Sequence, residues 1–122
     1  MHRLIHFALA AVVAGLTFAS QAAWAHASLL GATPAAGAQL DTPPKEVILH
    51  FSEKLEGAFC SIKVTDSSNQ EVGTAKALLD ANDATVMKLD LPLLQRASYS
   101  VHWSALTYDG HRKKGNYTFT VK

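Results

Sequence analysis

The chain has one cysteine, Cys60, among its 122 residues. An internal disulfide is therefore excluded, and packing alone must hold the fold together. Within residues 58–66, Cys60 shares a face with Ile62 and Val64 at a spacing of two residues. This pattern favours a small buried hydrophobic side chain. The alternative is a thiolate ligand for a soft metal ion.

The chain also lacks a large net charge of either sign. Its 11 Lys and Arg residues stand against 10 Asp and Glu residues, a formal charge of +1, and without Arg3 the balance is 10 against 10. A nucleic-acid partner would need a basic face, so the balance argues against such a partner. It gives no sign of a polybasic membrane patch either.

Beyond residue 25 the sequence has no apolar run long enough to cross a bilayer. The first 25 residues differ from the rest, with His2 and Arg3 at the start, an apolar stretch over residues 4–18, and Ala23-Trp24-Ala25 at the end. A basic start, an apolar middle and a small-x-small ending are typical of a secretory signal peptide. We therefore expect residues 1–25 to be removed by cleavage after Ala25, leaving residues 26–122 as one exported domain.

The exported part has the pattern of short strands separated by turns. Strands are predicted at 28–32, 46–51, 58–66, 85–91, 97–106 and 116–122, with a returning strand at 71–75 after a polar turn. Residues 78–82 are ambiguous and fit a single helical turn. The pattern predicts an all-β fold, a β-sandwich with Greek-key connections. Five aromatic residues are expected to dominate its core: Trp103, Tyr99, Tyr117, Phe119 and Phe51.

Removal of the leader would make His26 the first residue. A terminal His offers its α-amine and its Nδ1 together, and these close a chelate ring that no internal His can form. Before the last strand, Asp109 and His111 flank Gly110, which allows a tight backbone turn. Three nitrogens and one oxygen suit tetragonal Cu(II), the divalent ion that such ligands bind most tightly. We therefore predict one Cu(II) ion at His26, Asp109 and His111.

Other polar residues have two interpretations each. Glu53 follows a predicted strand and is either an axial or outer-shell oxygen for the metal or a solvated strand-end carboxylate. His50 and His102 fall on the polar sides of strands and are predicted to lie at the surface. Lys113 and Lys114 are predicted to lie in a solvated turn, and the alternative is that they contact an acidic partner.

The order and spacing of these motifs resemble the periplasmic copper-resistance protein C (CopC) family. The similarity covers nearly all of residues 26–122. It rests on the following segments: His26 after the leader, Thr33-Pro34-Ala35 with Gly37, Leu49-His50-Phe51-Ser52-Glu53, Val101-His102-Trp103, Asp109-Gly110-His111 and Gly115-Asn116-Tyr117-Thr118-Phe119.

The resemblance implies a seven-stranded β-sandwich of cupredoxin-like or immunoglobulin-like appearance that binds copper in the periplasm. It implies Cu(II) ligands at His26, through amine and imidazole, and at Asp109 and His111, with Glu53 as a nearby acid. It also implies an inner-membrane copper permease of the CopD type as partner.

One departure concerns methionine. Some members of the family carry a Cu(I) site on a methionine-rich loop, but here residues 70–83 contain no Met, and Met87 is the one Met after the leader. Thioethers are the soft ligands that Cu(I) prefers, so we expect a Cu(II)-only member. Cys60 would be the first candidate for any Cu(I) binding.

We therefore predict a periplasmic protein, not an enzyme, that sequesters Cu(II) or passes it to a membrane transporter. One alternative is a copper mono-oxygenase with an N-terminal histidine brace, although Asp109 would occupy a copper position and the aromatic residues fall on inward positions. The other is an immunoglobulin-like structural module without metal, because sandwiches host many functions.

Overall fold

The computed structural model describes residues 28–122, so the expected leader and His26 lie outside the described residues. Within this range the chain forms strands and no α-helix. The strands are β1 (Leu29–Thr33), β2 (Gln39–Leu40), β3 (Glu46–Phe51), β4 (Ser61–Thr65), β5 (Leu78–Asp80), β6 (Asp83–Asp90), β7 (Ala97–Leu106) and β8 (Arg112–Val121). A 3-10 turn, Gly57–Phe59, precedes β4. No helix in this part of the chain is long and apolar enough to cross a membrane.

The strands form two four-stranded sheets, with the orders β1-β3-β6-β5 and β2-β8-β7-β4. Every pairing is antiparallel except that of β2 with β8. Only β5–β6 and β7–β8 are hairpins within one sheet, and the other connections cross between sheets. This confirms the all-β sandwich. The fold has eight strands, whereas the resemblance implied seven. Strand β2 was not predicted, because its two residues are too few to show any alternation in the sequence.

The strand predictions differ in accuracy from one strand to the next. β3 and β7 begin and end where the alternation predicts, whereas β8 starts at Arg112 because it pairs with β7 along its whole length. Residues 78–82, ambiguous in the sequence, do not form the helical turn that they fit, since Leu78 and Leu79 pair with β6. The predicted return strand at 71–75 amounts to one bridge between Thr65 and Glu71. Pairing partners, which local sequence does not show, decide these short segments.

The core lies between the two sheets. Its largest fully buried side chains include Phe119, Leu49, Leu55, Met87, Val47, Val64 and Val101. Of the five aromatic residues expected to dominate the core, Phe51, Tyr99 and Phe119 are buried, with Tyr99 stacked on Phe119 at a centroid distance of 5.4 Å. Trp103 and Tyr117 are only partly buried and pack against the edge of this core.

The indole of Trp103 fills the space in which a side chain at position 115 would lie. Trp103 is the direct partner of Gly115 across the β7–β8 hairpin, and its indole meets Phe51 edge-on at 5.1 Å. A Cβ built on Gly115 would lie 2.5 Å from the indole ring. Glycine is therefore needed at position 115, because a methyl group there would displace the Trp103 ring.

Cys60 is half-buried and precedes β4. Its Sγ lies 3.2 Å from the carbonyl oxygen of Glu56 and accepts a hydrogen bond from the amide of Leu106 at 3.3 Å. Ile62 and Val64, which were expected to share its face, are fully in the core. The thiol thus lies at the border of the core, where it contacts backbone polar groups.

Candidate metal centre

Asp109 and His111 belong to the tight turn that joins β7 to β8. The amide of Thr107 donates to the carbonyl of His111 at 3.0 Å, and the amide of Gly110 donates to the carbonyl of Thr107 at 3.0 Å. Gly110 has a φ of +86°, in the left-handed region that favours glycine. A turn that ends on a left-handed residue is a common three-residue hairpin loop. We call residues 107–111 the metal hairpin.

The turn brings the two predicted ligands together. Nδ1 of His111 lies 3.1 Å from Oδ1 of Asp109, and both side chains are 55% exposed. The hydrogen bond from the Thr107 hydroxyl, followed by that from the His111 side chain, lowers the pKa of the Asp109 carboxyl below its usual value. A carboxylate and an imidazole therefore lie side by side at the surface, where a metal ion can reach both.

Thr107 contributes a third group, which the sequence analysis did not single out. Its side chain is 1% exposed, and its hydroxyl donates to Oδ1 of Asp109. The amide of His111 also approaches this hydroxyl at 3.3 Å. Thr107 continues the inward-facing alternation of β7, and a polar residue at such a buried position needs a partner. That was the signal in the sequence that could have identified it.

The segment that carries Glu53 is tied to the base of the metal hairpin. Leu55 forms a bridge with Thr107, and the amide of Tyr108 donates to the carbonyl of Lys54 at 3.2 Å. Glu53 itself is half-buried and follows β3 by two residues. The next residue in the chain, Lys54, is thus hydrogen-bonded to the metal hairpin. A role for the Glu53 carboxylate as an axial or outer-shell oxygen stays a prediction.

The first described residue, Ser28, is attached to the same region. Its amide donates to Oγ of Ser52 at 2.8 Å, and its carbonyl accepts from the amide of Ser52 at 3.0 Å. His26 precedes Ser28 by two residues in the sequence. His26 itself lies outside the described residues.

Among the described residues, the other two histidines are not part of this arrangement. His50 and His102 are both exposed, as predicted, and His102 shares a hydrogen bond of 3.2 Å with the hydroxyl of Thr65. Within residues 28–122, no group of three or more His, Cys, Asp or Glu side chains is placed to hold a metal ion.

Comparison with known proteins identifies relatives across the whole described range. The CopC domain model matches residues 29–122. Protein YobA of Escherichia coli strain K12 is 37% identical over 123 residues, which cover 98% of this chain and 96% of YobA.

Two solved structures are also similar. CopC from Methylosinus trichosporium OB3b is 36% identical with a TM-score of 0.75, over 80% of this chain and 94% of that one. PcoC, described as a methionine-rich copper resistance protein from Escherichia coli, is 35% identical with a TM-score of 0.70, over 80% of this chain and 100% of that one.

The family resemblance seen in the sequence is thereby confirmed. Proteins of the family are periplasmic copper proteins and are not enzymes, which decides against the mono-oxygenase alternative. PcoC is described as a copper resistance protein, which favours the metal-binding prediction over a metal-free structural module. With matching sequence, fold and relatives, this chain belongs to the CopC family of copper resistance proteins.

Proposed function

We propose that the processed chain binds one Cu(II) ion in the periplasm and sequesters it or passes it to an inner-membrane permease of the CopD type. The observation that carries the proposal is the pairing of Asp109 and His111, 3.1 Å apart on an exposed turn. The base of that turn is hydrogen-bonded to the segment after β3, which also holds Ser28 near the start of the domain.

The donor set follows from this arrangement. Asp109 and His111 supply one oxygen and one nitrogen, two fewer than a tetragonal site needs. His26, two residues before the anchored Ser28, supplies the amine and imidazole nitrogens in the proposed site. Oδ1 of Asp109 is occupied by the contacts from Thr107 and His111, which leaves Oδ2 for the metal.

The oxidation state is proposed from the same donors. Imidazole, amine and carboxylate suit Cu(II), whereas thioethers and thiolates suit Cu(I). Residues 70–83 contain no methionine, and Met87 is 1% exposed in the core. PcoC, by contrast, is described as methionine-rich. We therefore retain Cu(II) as the cargo of this chain.

Export and copper binding are linked in this proposal. The leader must be cut after Ala25, because any residue left before His26 turns its amine into an amide and removes one donor. The amine, whose ordinary pKa is about 7.7, and both imidazoles must also lose protons to bind. Copper affinity should therefore fall as the pH decreases through the imidazole range, and constant affinity from neutral to mildly acidic pH would contradict these ligands.

The decisive experiment compares two purified proteins, one starting at His26 and one with a single alanine before it. Mass spectrometry confirms each terminus, a chelator competition titration measures Cu(II) affinity, and electron paramagnetic resonance reports the ligands. Tight, nitrogen-rich binding by the His26 form alone supports the proposal. Equal binding by both forms moves the site to internal residues, and no tight binding by either removes the proposed function.

A further inference from the structure

The near-zero net charge of the chain conceals a separation of charge between the two sheets. The strands of the sheet β2-β8-β7-β4 carry four cations and no Asp or Glu: Lys63, Arg112, Lys113 and Lys114. The strands of the other sheet carry one cation and four acids: Lys88, Glu46, Asp80, Asp83 and Asp90. The sequence analysis argued against a basic face from the total charge, but the topology creates one.

Four side chains of the first sheet lie together on its outer side: Lys63, His102, Arg112 and Lys114. All four are exposed, and each alternates with inward-facing neighbours on its strand. With Ser61, Trp103 and Ser104 they line a shallow depression of about 380 Å³. We call these four residues the basic face.

The register of the strands fixes how close these groups are. Lys63 is directly opposite His102, and Ser104 is directly opposite both Ser61 and Lys114. Opposite residues in antiparallel sheets lie about 5 Å apart, and same-face neighbours along a strand about 7 Å. Nη1 of Arg112 completes the group by donating to Oγ of Ser104 at 2.6 Å.

Among residues 28–122, no Asp or Glu forms an ion pair with this surface. Within residues 28–122, the ion pairs involve Lys88, His111 and Lys122, and none includes Lys63, Arg112 or Lys114. The depression is lined by basic side chains, two hydroxyls and Trp103, without any carboxylate. Such a surface attracts negative groups and lowers the cost of bringing several of them together.

The basic face is continuous with the metal hairpin. Arg112 follows His111 directly in the chain and opens β8. A partner bound on the face therefore lies beside the exposed side chains of Asp109 and His111. The location suits a partner that receives or delivers the metal.

We propose that the basic face is a docking surface for an acidic segment of a copper-handling protein partner. The carboxylates of that segment would enter the depression between Lys63 and Arg112 and accept hydrogen bonds from its cations and hydroxyls. The choice of a copper-handling partner rests on the proposed function, but the docking itself does not.

The same surface fits a protein better than a membrane or a nucleic acid. Interfacial membrane binding uses apolar side chains that enter the lipid, but the rest of this outer surface presents hydroxyls: Ser98, Ser100, Thr118 and Thr120. Single-stranded nucleic acid binds where aromatic side chains stack on bases. Of the aromatic residues of β7 and β8, only Trp103 lines the depression, and its ring is partly buried against Phe51 instead of standing free for stacking.

The size of the surface predicts a transient complex. Strands β7 and β8 have ten residues each and β4 has five, so at about 3.3 Å per residue and about 4.8 Å between strands they cover about 400 Å². This is less than the roughly 800 Å² per partner of a stable complex. Charged surfaces of this kind mainly accelerate association, and the acceleration weakens as salt is added. Brief, salt-sensitive contact suits the transfer of a metal ion.

The test uses the copper-free processed protein, labelled with 15N, and a synthetic peptide of alternating Glu and Ser as the probe. A peptide with Gln in place of Glu is the neutral control. The variant Lys63→Glu/Lys114→Glu is compared with Lys45→Glu/Arg96→Glu, which makes the same charge change at exposed residues outside the strands. Thermal unfolding verifies that both variants are folded.

We expect the Glu peptide to shift amide signals of β4, β7 and β8, with affinity that falls on adding salt. The variant K63E/K114E should bind it at least about tenfold more weakly than K45E/R96E. Equal affinity of the two variants overturns the proposal. Binding to vesicles that contain phosphatidylglycerol, without binding to the peptide, also overturns the proposal. Self-association of the protein that K63E/K114E abolishes overturns it as well.

This test separates the docking surface from the proposed function. Peptide binding by a protein that fails to bind Cu(II) would leave the docking surface in place and remove the copper function. Cu(II) binding without peptide binding would leave the copper function in place and remove the docking surface.

Discussion

The buried hydroxyl of Thr107 donates a hydrogen bond to the exposed carboxylate of Asp109. Thr107 is the last inward-facing residue of the β7 alternation, and its backbone also closes the hairpin through the carbonyl of His111. One residue therefore links the packed interior to a proposed copper ligand. The orientation of Asp109 depends on the core as well as on the turn.

Replacing Thr107 with Val should weaken Cu(II) binding while leaving the fold intact. Valine has nearly the shape of threonine but cannot orient the carboxylate, and loss of such an outer-shell hydrogen bond typically costs about 10- to 100-fold in metal affinity. Thr107→Ser keeps the hydroxyl and is the matched control. A chelator competition titration measures the affinity, and paramagnetic resonance shows whether the carboxylate ligand has moved.

Unchanged Cu(II) affinity in T107V would show that Asp109 is oriented by the turn alone. A fall in both variants that follows their loss of thermal stability would indicate a structural effect instead.

Removing either proposed ligand should have a larger effect than removing Thr107. We expect His111→Ala and Asp109→Asn each to lower Cu(II) affinity by more than about 100-fold, beyond the range for outer-shell residues. His111→Ala should also remove one nitrogen from the resonance spectrum, whereas Asp109→Asn should not. His50→Ala, at an exposed position on β3, is the control and should bind as the parent protein does.

Gly115→Ala should destabilise the fold. The added Cβ would approach the Trp103 indole to 2.5 Å, and the indole is held by its contact with Phe51. Overpacking of this kind costs about 1–3 kcal/mol. Urea unfolding measures the loss, and Gly31→Ala is the control because a Cβ there meets nothing within 4 Å. Equal stabilities of the two variants would show that the indole moves aside without cost.

The β5–β6 hairpin should contribute a pH-dependent component to stability. Nζ of Lys88 lies 2.8 Å from Oδ2 of Asp80, and this hydrogen bond lowers the pKa of the Asp80 carboxyl. Because the folded-state pKa is below the unfolded value, the contribution is complete above the unfolded value and disappears as the pH falls through the folded one. Both side chains are partly open to solvent, so the effect is small.

Asp80→Asn should therefore lose less stability than the parent protein on acidification from about pH 6 to about pH 3. The variants Lys88→Met and Asp80→Asn/Lys88→Met complete a double-mutant cycle, measured by urea unfolding at each pH. A coupling between the two residues that is the same at both pH values would contradict this account.

Regular alternation was the part of the sequence that predicted structure best. β3 and β7 were predicted to the residue because their buried and exposed positions alternate with a period of two. The region of β5 was ambiguous in the sequence because three residues carry too little periodicity, and its conformation is decided by pairing with β6. The missed β2 has two residues and pairs with β8 across a long separation in sequence.

In the candidate site too, the sequence predicted local contacts but not contacts between residues that are distant in the chain. The proximity of Asp109 and His111 follows from local turn chemistry around Gly110, so the sequence could predict it. The attachment of Ser28 to Ser52 joins residues 24 positions apart, and no local pattern reveals it. The basic face was hidden for a related reason, since it depends on which strands share a sheet.

Trp103 gives the molecule an optical label. The sequence has two tryptophans, Trp24 in the leader and Trp103, so a chain that begins at His26 keeps only the second. Its indole contacts Phe51 in the sandwich, and its strand reaches the metal hairpin four residues later, about 13 Å away. Emission from one native fluorophore can therefore follow both unfolding and the arrival of a paramagnetic ion, without any attached dye.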